Sequence, residues 1–386
     1  MNGERAPVDL ARVRAEEFPW AGEAVFLNAA STGPLPRRSL EAVEEYNRRR
    51  ATMYRLTDED YFPVFTRSRE LAARLINADP AEIALAHDTS YGLNVAARSL
   101  PLGPGDIVLT SEREFPANVY PWLMLERTGV RTELVPVTAA GFPDEDRLLS
   151  RLDDPRVKVL AISLVQFSNG YRIDLERFSR ATRAAGKYLV VDAIQALGQI
   201  PVDVRATPVD ILACGAQKWL LSPWGSGFFY VRKELVERLE PVFAGWMAFE
   251  GTDDFSRLTE YNRAFRADAR RFEMITLPYQ DFVGMNRSVE LLLEVGVERI
   301  REHLRRLQEP VLEWAAREGV RITSPVGAGA SGIICVAPRD AAAAYDALTR
   351  AGIVASFREG SIRLSPHLYN TAEELERVTV CCSTSS

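Results

Sequence analysis

The middle of the chain alternates short apolar runs with longer amphipathic stretches. The runs are IALA (83–86), DIVLT (106–110), VKVLAISLV (157–165), YLVVDAIQ (188–195), ILACGA (211–216) and GFFYVR (227–232). Between them lie segments with helical spacing, such as YGLNVAARSL after the turn HDTS, and LERFSRATRAAGK after the third run. Short continuous apolar runs predict strands covered on both faces, and helices between them predict β-α-β units and a mostly parallel sheet. In such sheets functional groups gather at the strand ends. After about residue 280 the pattern changes. FVGMNRSVELLLEVGVERIREHLRRLQEPVLEWAAREG predicts one or two long helices. GIICVAP and SIRLSP predict strands, with AAAAYDALTRAG as a helix between them, and CCSTSS reads as a frayed end. The expected fold class is α/β, with a large domain over 26–260 and a smaller α+β domain from 1–25 and 261–386.

Composition narrows the function classes. A chain of 386 residues is too long for one ordinary core, and 47% hydrophobic with 26% charged residues is the globular range. A net charge of −6 argues against nucleic acid or an anionic membrane as partner, because both demand a basic patch. No apolar run approaches the roughly 18 residues of a membrane helix. The start, MNGERAPVDLARVRAEEF, carries charges where a secretory signal has its apolar region. The four cysteines, Cys214, Cys335, Cys381 and Cys382, have no metal-ligand spacing, and the three histidines, His87, His303 and His367, are far apart. A cytoplasmic enzyme without a metal is the expectation.

The candidate chemistry lies at successive strand ends. Asp192 closes the run YLVVD, and Gln195 follows three residues on. Lys218 sits just past ILACGA, inside a stretch otherwise small, aromatic or apolar. A strand-end acid can simply cap the next helix. A lysine drawn out of water, however, gives up its proton more easily and becomes a nucleophile toward an aldehyde. Acid, glutamine and lysine together suit the ring of pyridoxal phosphate. The acid would keep the ring nitrogen protonated, and Gln195 could hydrogen-bond the ring hydroxyl. Thr89, Ser90 and Gly92 open a predicted helix, whose free N–H groups attract an anion, although a Thr or Ser there is also an ordinary cap. Phe115, after the run DIVLT, offers a ring face that could equally belong to the core.

The string V-V-D-A-I-Q … A-C-G-A-Q-K resembles the fold-type I pyridoxal-phosphate enzymes, and in particular the class V aminotransferase family. That family includes cysteine desulfurases, selenocysteine lyases, kynureninases and isopenicillin N epimerase-like proteins. The resemblance extends from FLNAASTGPLP (26–36) to IRLSPHLYN (362–370). It implies pyridoxal 5′-phosphate as cofactor and a homodimer with a shared active site. It makes Lys218 the Schiff-base lysine and Asp192 the partner of the pyridine nitrogen, with Gln195 near the ring oxygen. It puts Thr89 and Ser90 in the phosphate turn, Phe115 on the ring face and Gln217 near the phosphate. It sends Thr276, in RFEMIT, to the neighbouring subunit's phosphate, and aims Arg363 at the substrate α-carboxylate.

Departures from the family pattern bear on the reaction. Desulfurases carry Ser-x-His-Lys where this chain has Gly215-Ala216-Gln217-Lys218. They also carry a cysteine on a loop before the carboxylate arginine, and SFREGSIRLS has none. Cys335 reads as a buried, inert thiol in a strand. Gln166 stands near where desulfurases place an asparagine. The expected activity is aminotransfer on an amino acid or an amino-acid-derived substrate, with Lys218 as general base. The alternatives are a carbon–sulfur or carbon–selenium lyase, an amino-acid epimerase, and a binding protein that has lost its chemistry. Trp246 is a candidate pocket wall or plain packing. Arg358 is a candidate second carboxylate site or a solvated charge.

Overall fold

Each of the six apolar runs becomes a strand of one seven-stranded sheet. The structure, a computed structural model, describes residues 8–52, 54 and 56–383. The strands are β1 (Ile83–Leu85), β2 (Ile107–Ser111), β3 (Arg131–Val135), β4 (Val157–Ser163), β5 (Tyr188–Asp192), β6 (Ile211–Gly215) and β7 (Gly227–Val231). Their order across the sheet is β1-β7-β6-β5-β4-β2-β3. The pairs from β6 to β3 are all parallel, while β7 is antiparallel to both β6 and β1. The reversal at β7 has a simple cause. A parallel return demands a crossover of a dozen or more residues, and 216–226 are too few. That segment turns back instead and carries Lys218.

The absence of polar alternation in these runs is explained by two cores. Leu160, Ile162, Val191 and Leu212 join one buried cluster, and their neighbours Val159, Ala161, Val190 and Ala213 join the other. Successive residues of a strand point to opposite faces, so each face meets its own layer of helices. Burying one Val, Leu or Ile side chain contributes about 1.5–3 kcal/mol, which makes these strands the rigid part of the molecule. The edge strand β3 follows no strong apolar run, because only Val135 of its residues is buried.

A second, four-stranded antiparallel sheet forms from β8 (Arg321–Ile322), β9 (Ile334–Ala337), β10 (Ser356–Arg358) and β11 (Ser361–Leu364), in the order β10-β11-β9-β8. The helical stretch after residue 278 is two helices, Tyr279–Val295 and Val297–Glu318, broken at Gly296. The expected frayed end is ordered over its first residues. Cys381, Cys382 and Ser383 finish the helix Ala372–Ser383, and the Ser383 hydroxyl accepts a 2.7 Å hydrogen bond from the Trp314 indole. Residues 384–386 lie outside the described residues. No helix among the described residues is long and apolar enough to cross a membrane.

Parallel strands bring their C-terminal ends to one edge. Ser163, Asp192 and Ala213 are register partners across β4, β5 and β6, so the groups that follow them emerge side by side. Near the N-terminus, Val25–Phe26 pairs with Ile353–Val354, and Asn28 bridges Ser365. These pairings bring Ala30 and Ser31 to the same edge as β11.

Candidate active site

Lys218 leaves the end of β6 and lays its ammonium over the Phe115 ring, 5.3 Å from the centroid. Phe115 itself is held edge-on by Phe167, 5.2 Å between centroids. Loss of hydration pushes the Lys218 amine down to about 8; Asp192 opposes this, and Arg363 adds to it. Gly33 presses on the lysine's own backbone: its N–H bonds the Gln217 carbonyl at 2.8 Å, and a side chain at Gly33 would collide with the Lys218 carbonyl. The turn can therefore close this tightly only with glycine there.

Asp192 is 2% exposed, and its carboxylate accepts one hydrogen bond from the Ile194 N–H at 3.0 Å. Burial pushes its pKa up to about 7, nearby Glu114 pushes the same way, and the Ile194 amide and Lys218 pull it down. Among the described residues, Asp192 has no salt-bridge partner. Below it lies a second buried carboxylate that the sequence did not single out. Glu114 accepts from the Ser163 N–H at 3.0 Å, from the Gln166 amide at 2.6 Å and from the Asn118 amide at 3.0 Å, and also from the Ser163 hydroxyl. Four neutral donors thus satisfy it. Gln166 is committed to Glu114 by its amide nitrogen.

Gln195 is fixed at both ends. Its amide donates to the Ala30 carbonyl at 2.9 Å, and its oxygen accepts from the Trp219 indole at 2.8 Å. One amide hydrogen remains for another acceptor. Trp219 is set in turn by His367, whose Nε2 lies 3.0 Å from the Trp219 carbonyl. Burial drives the His367 imidazole down to about 4, so it is neutral and structural.

The helix Thr89–Ser99 starts at the same edge. Its cap is Asp88, whose carboxylate accepts from the Tyr91 N–H at 2.8 Å. The cap is thus Asp88 rather than Thr89 or Ser90. The amides of Thr89 and Ser90 have no acceptor within the helix. The Thr89 hydroxyl accepts from the Gly215 N–H at 2.8 Å. A Cβ at Gly215 would come within 2.6 Å of the Gln217 side-chain oxygen and 3.2 Å of the Thr89 hydroxyl oxygen, so helix start, β6 end and Gln217 meet at one point.

Arg363 stands on β11, 1% exposed. Its guanidinium donates to the Phe167 carbonyl at 2.6 Å and to the Ser31 hydroxyl at 2.8 Å, and its Nε is buried with no acceptor. Burial pushes its pKa down to about 10. Among the described residues it has no carboxylate partner. Thr276 is exposed and makes no hydrogen bond among the described residues. Trp246 lines a different cavity with Phe249 and Tyr261 and packs on Phe255, 5.9 Å between centroids. Arg358 is an exposed strand residue on β10, not part of a loop.

These residues fit pyridoxal phosphate. The orphaned Arg363 Nε, the unpaired Asp192 and the free amides of Thr89 and Ser90 are three kinds of unmet polar demand. They match a substrate carboxylate, a pyridinium nitrogen and a phosphate. Lys218 beside an aromatic face is an amine placed where it could meet the aldehyde. Among the described residues, no cluster of His, Cys, Asp and Glu could hold a metal ion.

Comparison with known proteins agrees with this reading. The chain is 30% identical over 308 residues to the Bacillus subtilis protein named uncharacterized aminotransferase YcbU, covering 80% of each chain. It is 29% identical over 374 residues to isopenicillin N epimerase of Amycolatopsis lactamdurans, covering 91% of this chain and 92% of that one. The crystal structure of the cysteine desulfurase CsdA from Escherichia coli superposes with a TM-score of 0.84 at 23% identity, over 98% and 99% of the two chains, so the fold is shared. Residues 25–378 match the family description Aminotransferase class-V. The chain belongs to the class V aminotransferase family, it is an enzyme of fold type I, and its cofactor is pyridoxal 5′-phosphate.

Proposed function

We propose that this enzyme transfers the amino group of an α-amino acid, with Lys218 as the Schiff-base lysine and general base. The observation that carries the reading is Arg363: a buried guanidinium with no carboxylate of its own, at the same edge as Lys218. A planar guanidinium takes a carboxylate through two parallel hydrogen bonds, and this one faces a site built for an amine. Bound pyridoxal phosphate supplies an aldehyde for the substrate amine and a ring that accepts electrons from Cα.

The chain's own groups do the rest. Arg363 holds the α-carboxylate and so fixes which bond at Cα faces the cofactor. Loss of hydration lowers the Lys218 pKa and favours its neutral amine, the form that would take the Cα proton and return it. Asp192 holds a proton on the ring nitrogen, and Gln195 offers its remaining amide hydrogen to the ring oxygen. Thr89, Ser90 and Gln217 would hold the phosphate, and Phe115 would offer its face to the ring. Two copies assemble as a homodimer, and exposed Thr276 reaches the neighbouring copy's phosphate.

The cysteines speak against persulfide chemistry. Cys214 and Cys335 are buried, and burial raises both thiols. Cys381 and Cys382 end the terminal helix. Between β10 and β11 only Glu359 and Gly360 intervene, so no thiol-bearing loop precedes Arg363. A β-eliminating lyase and an epimerase need no such thiol and are the second reading. The experiment is a visible spectrum of the holoenzyme mixed with single amino acids and no keto acid. Aminotransfer leaves the cofactor in its amine form after one turnover. Continued product release with the starting spectrum retained establishes a lyase or epimerase, and product mass and chirality tell which.

A further inference from the structure

Beside the site lies a basic cavity of about 340 Å³ that none of the proposed chemistry uses. Its lining includes Arg113, Arg321, Arg358, Glu359, Ser168 and Ser361. Three guanidiniums face one carboxylate. Glu359 pairs with Arg113 at 3.4 Å, and both side chains are more than half exposed, so the pairing is weak. Arg321 and Arg358 have no salt bridge among the described residues.

The cavity lining adjoins the site along three chain segments. Arg113 lies two residues before Phe115. Ser168 follows Phe167, whose carbonyl accepts from Arg363 and whose ring packs on Phe115. Ser361 lies two residues before Arg363 on β11, and therefore on the same face. Across the sheet Arg363 pairs with Ser356 and Ser361 pairs with Arg358. Arg363 and the cavity are thus adjacent rows of one surface, about 7 Å apart along the strand.

We propose that this cavity receives a second carboxylate of the substrate, at the far end of its side chain, so that the amino donor is an acidic α-amino acid. The proposal rests on the reading of Arg363 as the α-carboxylate site. A chain of a few carbons spans the interval between the two rows. The arginines at the rim then do for the distal group what Arg363 does for the near one. Exposure gives the rim arginines a smaller share of the binding than Arg363, because water competes for them.

The test compares glutamate with glutamine, which match in size and differ in the distal charge. Each is titrated into the holoenzyme, and half-saturation is read from the visible spectrum. Glutamate is expected to half-saturate at a concentration roughly tenfold or more below glutamine, the discrimination expected of charge-assisted hydrogen bonds. In the double variant R321Q/R358Q the ratio is expected to fall within about twofold of one. Equal binding in the unaltered enzyme overturns the proposal, and so does a preference that survives in the double variant. Calorimetric binding of glutarate against its monoamide, glutaramate, carries no amine and tests the cavity even if no amino acid perturbs the spectrum. That spectral silence would sink the proposed function instead. Glutarate held no better than glutaramate, or held equally by the double variant, overturns the cavity assignment.

Discussion

Two arginines that this chain draws largely out of water are treated in opposite ways. Arg69, on the helix Asp58–Ile76, meets Glu273 through two bonds of 2.9 and 2.6 Å, and Glu273 also accepts from the Leu85 N–H. Every charge there is matched within the chain. Arg363 is more deeply buried, yet it meets only a carbonyl and a hydroxyl and keeps one nitrogen without an acceptor. Asp192 and Lys218, nearby, are also left without a salt bridge. At Arg69 the chain pairs its charge with a carboxylate of its own; at the edge of the sheet it leaves Arg363 open, and an open buried charge is a demand for a ligand.

The comparison can be broken at either end. The largest effect is expected from Lys218→Ala, which should lower turnover on the best amino donor by at least about a thousandfold, while thermal unfolding of the cofactor-free protein stays where it was or rises. Normal turnover would remove Lys218 from the chemistry. Next, Arg69→Met leaves Glu273 buried and unpaired and should destabilise the fold by about 3–5 kcal/mol in urea unfolding. The per-molecule activity of what remains folded should be unchanged. Arg363→Gln should do the converse: half-saturation by amino acids rises about a hundredfold, and stability does not fall. If Arg363→Gln unfolds the protein as Arg69→Met does, the two arginines are alike and the contrast is lost. The smallest effect concerns pH. Only the neutral amine condenses with an aldehyde, so cofactor uptake by the cofactor-free protein should speed up about tenfold from pH 7 to a plateau above 8. Asp192 holds the lysine's pKa up, so in Asp192→Asn that midpoint should move to lower pH. Stopped-flow absorbance measures both.

Much of the frame was legible in the chain, for physical reasons that differ by element. Strands β2, β4, β5, β6 and β7 are buried on both faces, and this burial demands the continuous apolar runs that announce them. Strand β3 was invisible because an edge strand with one buried residue carries no such run. The antiparallel sense of β7 was knowable from the eleven residues that precede it, but the β-α-β pattern concealed it. Lys218 and Asp192 stood out as charges beside apolar runs, while Arg363 was found only through the family resemblance of SIRLSPHLYN. Glu114 did not, because EREF holds two glutamates and nothing in the pattern says which turns inward. Arg113 decides it: its left-handed backbone, φ 63°, breaks the alternation and sends Glu114 under the sheet edge.

By itself the sequence determined six of the sheet's strands, the cofactor class and the family, because apolar runs, an acid and a lysine at strand ends, and the strings around them are local properties of the chain. Tertiary structure alone decided which charges go without partners. Arg363 comes within reach of Phe167 and Ser31 only when the second sheet folds against the first, and Arg358 and Arg321 gather with Arg113 only there. Pairing is a relation between residues far apart in the chain, so which charges at the site go unpaired is visible only once the chain is folded.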